Sequence, residues 1–366
     1  MRYRIEKDTI GEKQVPAEAY YGIGSLRSKE TFSITKHGLI RQMIKSFASI
    51  KKAAAKANGD VGLLDKEIAN AISLSCDEIL NGRLHGQFIT DVIQGGSGNS
   101  MNVNANEVIA NRANELLGGE KGKYDLVHPI NHVNLNQNSR QVVITAGKLS
   151  TIRLTKKMIG EAKKLYNAYL DKINEYNLEK SDYQIGQELL TFADILDRDI
   201  KRVNAAILGL LDINVLHPSM MDSDSFEKKY IKYLAQFSGE PVKQAKNAVD
   251  NDQNIDAFIW VSSAIKTLIS NLSKISNDLV ILEKQDKVQI PQVDELSDPV
   301  VIEMVKQVSF YIMGNDLTIA RAVEAGELES NIYLPIIYGC LFESINLLRR
   351  TIRIFREKTI EGLIIK

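Results

Sequence analysis

Residues 92–106, VIQGGSGNSMNVNAN, concentrate the side chains and backbone most able to do chemistry. Gly95, Gly96 and Gly98 let the backbone approach a ligand and take conformations closed to other residues. Asn99 and Ser100, followed by Asn102, Asn104 and Asn106, supply hydrogen-bonding groups where a helix starts, a place suited to anions. As a bare pattern this stretch is equally an ordinary loop with a helix cap. A second cluster is HPINHVN (128–134), with His128 and His132 in a proline-containing, non-helical stretch. The chain has no HExxH pattern, so neither histidine points to a metal site, and no glycine-rich phosphate loop of known spacing occurs. Each histidine reads as a packed, hydrogen-bonded residue or as a functional group. No cofactor and no metal are expected.

Long helices must position these groups. Only seven prolines occur in 366 residues, and the intervals between Pro129 and Pro218 and between Pro241 and Pro291 contain none. Within them apolar residues step by threes and fours, as in Phe258, Val261, Ile265, Leu268, Leu272, Ile275, Leu279 and Leu282. That seam suits packing against near-parallel helices. A similar series runs from Ile185 through Leu189, Phe192, Leu196, Ile200, Val203 and Ile207 to Leu210. Further long helices are predicted over 142–176, 300–325 (Pro299 in its first turn) and 334–360. Shorter helices fill 41–90, broken at ANGDVG and LNGRLHG, and the first 40 or so residues read as irregular with a short strand at most. The expected class is mostly all-α. Seams of this length on more than one side call for assembly with other copies.

The 46 basic and 46 acidic side chains cancel, which gives no bulk attraction to nucleic acid or to an anionic membrane. Cys76 and Cys340 are too few for a disulfide framework and read as two core thiols of a reducing compartment. The start MRYRIEKDTI has no apolar signal core, and no run approaches a membrane span. A soluble cytoplasmic protein is expected.

VPAEAYYGIGSLRS (15–28), VIQGGSGNSMNVNANEVIANRANELLGGEKGKY (92–124), HPINHVN, GQELLTFADIL (186–196), LSKISNDLVIL (272–282) and IMGNDLTIARAVEAGELESNIYLPII (312–337) together resemble the aspartase/fumarase superfamily, closest to its aspartate ammonia-lyase branch. The resemblance covers nearly the whole chain. It implies a lyase domain over 1–136 with a small set of helices, and a central long-helix bundle over 137–366 that joins with three other copies in a homotetramer. The small C-terminal domain of the family is expected to be absent.

In that family, substrate carboxylates are held by groups from three segments, and a serine on a mobile loop removes the proton. Matched residue by residue, the threonine of GAGTS is Asn99, followed by a retained Ser100, and SQSTND reads NQNSRQ. Asn138, Ser139 and Arg140 therefore stand at the serine, threonine and asparagine, and Gln141 at the aspartate. A Thr-His or Thr-Gln pair falls on Glu175 and Tyr176. The signature GSSxMPxKxNP is replaced so that its two serines fall on Ile290 and Pro291 and its lysine on Leu296, while Ser297 in LSDP reads as a helix cap. HPINHVN matches HPNDHVN, an anion-site segment of fumarases, with Ile130 and Asn131 at its Asn-Asp pair. The loop GxTAIGTGLN is reduced to NVLHPSMMDS, which adds His217 as the one new histidine near the old site.

The resemblance thus implies a substrate-binding set of Asn99, Ser100, Asn138, Ser139 and Arg140, with His128, Asn131, His132 and His217 as further candidates and no identified catalytic base. Arg140 could hold a carboxylate bidentately or pair with an acid of a neighbouring subunit such as Glu175. Two functions follow. One is altered lyase chemistry on, or binding of, a small carboxylate or amino acid. The other is a noncatalytic scaffold or subunit partner of an active relative.

Overall fold

A computed structural model describes residues 2–178, 183–215, 223–293, 299–328 and 330–366. In chain order the helices are α1 (Ile23–Thr31), α2 (Arg41–Asp60), α3 (Lys66–Leu80), α4 (Asn99–Leu116), α5 (Ser139–Glu175), α6 (Tyr183–Leu208), α7 (Ser223–Ser238), α8 (Ala248–Gln253), α9 (Ala257–Lys284), α10 (Val300–Glu324) and α11 (Leu334–Phe355). Among the described residues three small ribbons form, β1 (Tyr3–Lys7) with β2 (Glu12–Pro16), β3 (Asp212–Ile213) with β4 (Lys243–Gln244), and β5 (Val288–Gln289) with β6 (Ile364–Ile365), besides two isolated bridges. The chain is therefore mostly helical, as its periodicity predicts.

The residues group into two compact units. The first comprises Met1–Ser150, Leu210–Ile255 and Ala322–Gly339, and the second Thr151–Gly209, Asp256–Arg321 and Cys340–Lys366. The position 136, at which the sequence suggests a domain boundary, lies inside the first unit, just before α5.

In the first unit α3 packs on α2 and α4, and α7 also packs on α2. The buried face of α2 is built from small and medium side chains, Ala53, Ala54 and Ala57 with Phe47 and Ile50, which permits close approach of its neighbours. Asp65 starts α3 by accepting from the backbone N–H of Glu67 at 2.8 Å.

The first 31 residues depart from the expected irregular segment. They form an antiparallel hairpin, with Tyr3 opposite Pro16 and Lys7 opposite Glu12, followed by α1. The order of α1 comes from distant residues rather than its own sequence. Its first turn has no acidic residue and no local side-chain cap. Instead the buried carboxylate of Glu107, on α4, accepts from the N–H of Gly22 at 2.9 Å, Gly24 at 2.9 Å and Ser25 at 3.1 Å, and from the Ser25 hydroxyl. Glu6 accepts from the N–H of Ile23 at 2.8 Å. Burial raises the pKa of Glu107, and these donors oppose that rise by favouring the charged form. A Cβ at position 22 would lie 2.8 Å from the Glu107 carboxyl carbon, so only glycine allows this approach.

In the second unit α9 packs against α6. The predicted seam of α9 is buried throughout, from Phe258 to Leu282, and Tyr169 meets Phe192 edge to face at a ring distance of 6.0 Å. Asp199, buried on α6, accepts from the Asn271 amide of α9 at 2.8 Å, so a polar pair fixes the register of an otherwise apolar interface. Large side chains also remain exposed on this unit: Phe310 (69%), Met313 (40%) and Leu317 (65%) on α10, and Trp260 (51%) on α9. Cys76 and Cys340 are buried free thiols. Among the described residues no helix is long and apolar enough to cross a membrane.

Candidate functional site

The glycine loop turns sharply before α4. Gly96, Ser97 and Gly98 take φ values of 68°, 57° and 78° in succession, and Gly98 serves as the N-terminal flank of the helix. A Cβ at position 98 would sit 3.1 Å from Val143 Cγ1, so glycine is required both for its left-handed backbone and for close packing on α5. No side chain caps α4, and its first turn holds no acid. The partial positive charge of this helix end is thus not offset by a cap or by an acid in its own first turn.

A second helix begins beside it. Asn138 Oδ1 accepts from the N–H of Arg140 at 2.9 Å, which starts α5, and the first turn of α5 likewise lacks an acid. Gly96, Ser97, Asn99, Asn138, Ser139 and Arg140 line one cleft of about 500 Å³. The structure thereby brings together four of the residues expected to bind substrate, namely Asn99, Asn138, Ser139 and Arg140. Ser100 follows Asn99 on α4, half-buried, and is not in the lining. The arrangement offers an open guanidinium-bearing pocket at two positive helix ends, suited to a small anion. Among the described residues its lining includes no carboxylate, histidine, lysine or cysteine, the groups that exchange protons near neutral pH.

Ser139 is tied to a buried polar network that sequence spacing did not reveal. The Asn102 amide donates to Ser139 Oγ at 2.9 Å and to Asn134 Oδ1 at 3.1 Å. The same Asn134 oxygen accepts from Lys51 Nζ at 2.7 Å and from the Asn106 amide at 3.3 Å. Lys51 is fully buried, which pushes its pKa well below the usual lysine value. The helical spacing of Asn102 and Asn106 could have suggested a shared partner, but Asn134 and Lys51 are remote in sequence.

Where the resemblance expects an aspartate, Gln141 is buried and donates to Asp252 Oδ2 at 2.8 Å, and Asp252 Oδ1 accepts from Asn214 at 2.7 Å. The segment expected to be non-helical forms one π-helical turn, Pro129–Val133, because His128 and His132 are engaged in building it. Nδ1 of His128 accepts from the N–H of Ile130 at 3.1 Å and of Asn131 at 3.2 Å, and Nδ1 of His132 accepts from the N–H of His128 at 3.0 Å. Each ring proton therefore sits on Nε2. Burial, and next the neighbouring His132, lower the His128 pKa, which favours the neutral ring. Neither histidine lines the cleft, and Asn131 is exposed. His217 lies outside the described residues. Among the described residues no three side chains are grouped as metal ligands.

The positions matched to the family's two serines belong to the second unit. Ile290 is buried and its N–H donates to Glu283 Oε1 at 2.7 Å, directly after strand β5. Pro291 packs so closely on Gly362 that a Cβ there would be 2.8 Å from the proline ring. Leu296 and Ser297 lie outside the described residues. Glu175 pairs with Lys172 of its own helix at 2.8 Å.

Comparison with known proteins matches residues 11–178 and 182–314 to the lyase family. An aspartate ammonia-lyase of Bacillus sp is 37% identical over 386 residues, covering 98% of this chain and 82% of that protein. The aspartate ammonia-lyase of Escherichia coli (strain K12) is 33% identical, covering 98% and 81%. Among solved structures, a fumarate lyase:delta crystallin from Brucella melitensis superposes with a TM-score of 0.92 at 33% identity, covering 100% of this chain and 89% of the other. A class II fumarase from Schistosoma mansoni superposes with a TM-score of 0.93 at 26% identity, covering 100% and 85%.

Proposed function

Because the chain belongs to the lyase family of aspartate ammonia-lyases and fumarases, we propose that its cleft binds a small carboxylate or amino acid without ordinary aspartate elimination. The observation that carries this reading is the meeting of Arg140 with two helix starts whose first turns hold no acid, in a cleft whose lining among the described residues holds no proton-transfer group. Binding needs charge and donors, whereas elimination also needs a base. Calorimetry with fumarate, succinate and aspartate tests it. Arg140→Ala is expected to weaken binding roughly 10–150-fold, the equivalent of a charged hydrogen bond worth about 1.5–3 kcal/mol. Equal heats in wild type and variant would instead favour the scaffold role, with Arg140 an interface residue.

The second part of the reading is assembly. Phe310, Met313 and Leu317 recur on one side of α10, and Trp260 is half-exposed on α9. Bulky apolar side chains at this density are costly in water and are suited to burial between copies. The chain is a homotetramer in this reading, and light scattering is expected to give four times the 40.9 kDa chain mass. A stable monomer at micromolar concentration would overturn it.

A further inference from the structure

We propose that Asn102 is a positioning residue that turns the Ser139 hydroxyl proton into the cleft, making Ser139 a donor and the cleft selective for a carboxylate over its amide. This rests on the carboxylate-binding reading above and adds what discriminates within it.

The orientation originates at Asn134. Its Nδ2 donates to the backbone carbonyl of Gln137 at 3.1 Å, and a carbonyl can only accept. Its Oδ1 receives Lys51 Nζ at 2.7 Å. Both contacts demand the same amide orientation, so Asn134 is locked from two sides. Asn102 must then present Nδ2 to Asn134, because turning it over would set oxygen against oxygen. One amide proton goes to Asn134 and the other to Ser139 Oγ. Asn102 is fully buried, and among the described residues its own Oδ1 has no hydrogen-bond partner, which fits an orientation decided by the donor demand of the network. Since Ser139 accepts from Asn102, its single proton must be given elsewhere, and Ser139 lines the cleft. A carboxylate oxygen can take that proton. A carboxamide can take it only through its C=O oxygen, so one of its two orientations is lost where a carboxylate keeps both.

Two measurements test this. Neutron diffraction from the deuterated wild-type protein without added carboxylate should place the Ser139 deuteron toward the cleft. A deuteron directed at Asn102 would overturn the proposal, whatever the protein binds. Calorimetry should compare succinate with succinamate. Asn102→Leu is expected to reduce the preference for succinate about tenfold, the scale of one charged hydrogen bond, and Ser139→Ala to do the same. The double variant should lose no more than either single one, because both remove one interaction. Equal weakening of both ligands by Asn102→Leu would make Asn102 merely structural and end the proposal. If wild type binds no succinate at millimolar concentration, the carboxylate reading fails, and the neutron map still decides the orientation of Ser139.

Discussion

Purified protein given aspartate is expected to form fumarate at least ~10³-fold more slowly than an aspartate ammonia-lyase with an intact catalytic loop, because under the proposed reading the general base is missing, which alone costs ~10²–10⁴, and missing electrophilic contacts add to it. The positions matched to the family's serines carry Ile290, buried and bonded through its N–H to Glu283, and Pro291, packed on Gly362. Neither side chain can take up a proton. Nor do the described residues of the cleft offer a substitute, since Asn99, Asn138 and Ser139 are neutral donors and acceptors and a guanidinium only donates. Growth of fumarate absorbance is the measurement. A normal enzymatic rate would overturn the reading and direct attention to His217, the histidine of the shortened loop.

The other large effect concerns stability. Glu107→Ala is expected to lower the unfolding free energy of the first unit by about 3–5 kcal/mol, the cost typical of stripping the partner from a buried hydrogen-bonded charge cluster. Three backbone N–H groups and the Ser25 hydroxyl would lose their acceptor in a buried site. Glu107→Gln should lose less, because one oxygen still accepts while the amide NH2 confronts the remaining donors. Urea denaturation followed by circular dichroism measures both. A loss below about 1 kcal/mol for the alanine variant would mean that water replaces the carboxylate at little cost.

The long helices were legible because their signal is local and repeated. Every residue of the α9 seam from Phe258 to Leu282 is buried as its spacing implied, and LNGRLHG ends α3, whereas α2 runs on through residues 57–60 of ANGDVG and ends only at its last two residues. The hairpin and α1 were not, because what orders them lies far along the chain. Tyr3 and Ile5 are exposed, so β1 shows no buried alternating face, and α1 is started by a glutamate more than 80 residues away. At the cleft, the glycine loop and the Asn138-Ser139-Arg140 run could be read directly. The Asn102 contact to Ser139 spans 37 residues and depends on an amide orientation that spacing does not encode.

The link between Glu107 and α1 also sets an order of events during synthesis. Ser25 leaves the ribosome 82 residues before its acceptor, an interval of roughly 4–16 s at ordinary translation rates. Until then the hairpin is an isolated two-stranded ribbon, marginal in water by itself. The apolar residues it later shares, Val15, Ala19 and Ile23, are a small cluster with little to hold them. The hairpin and α1 therefore gain their buried acceptor only once α4 has been translated.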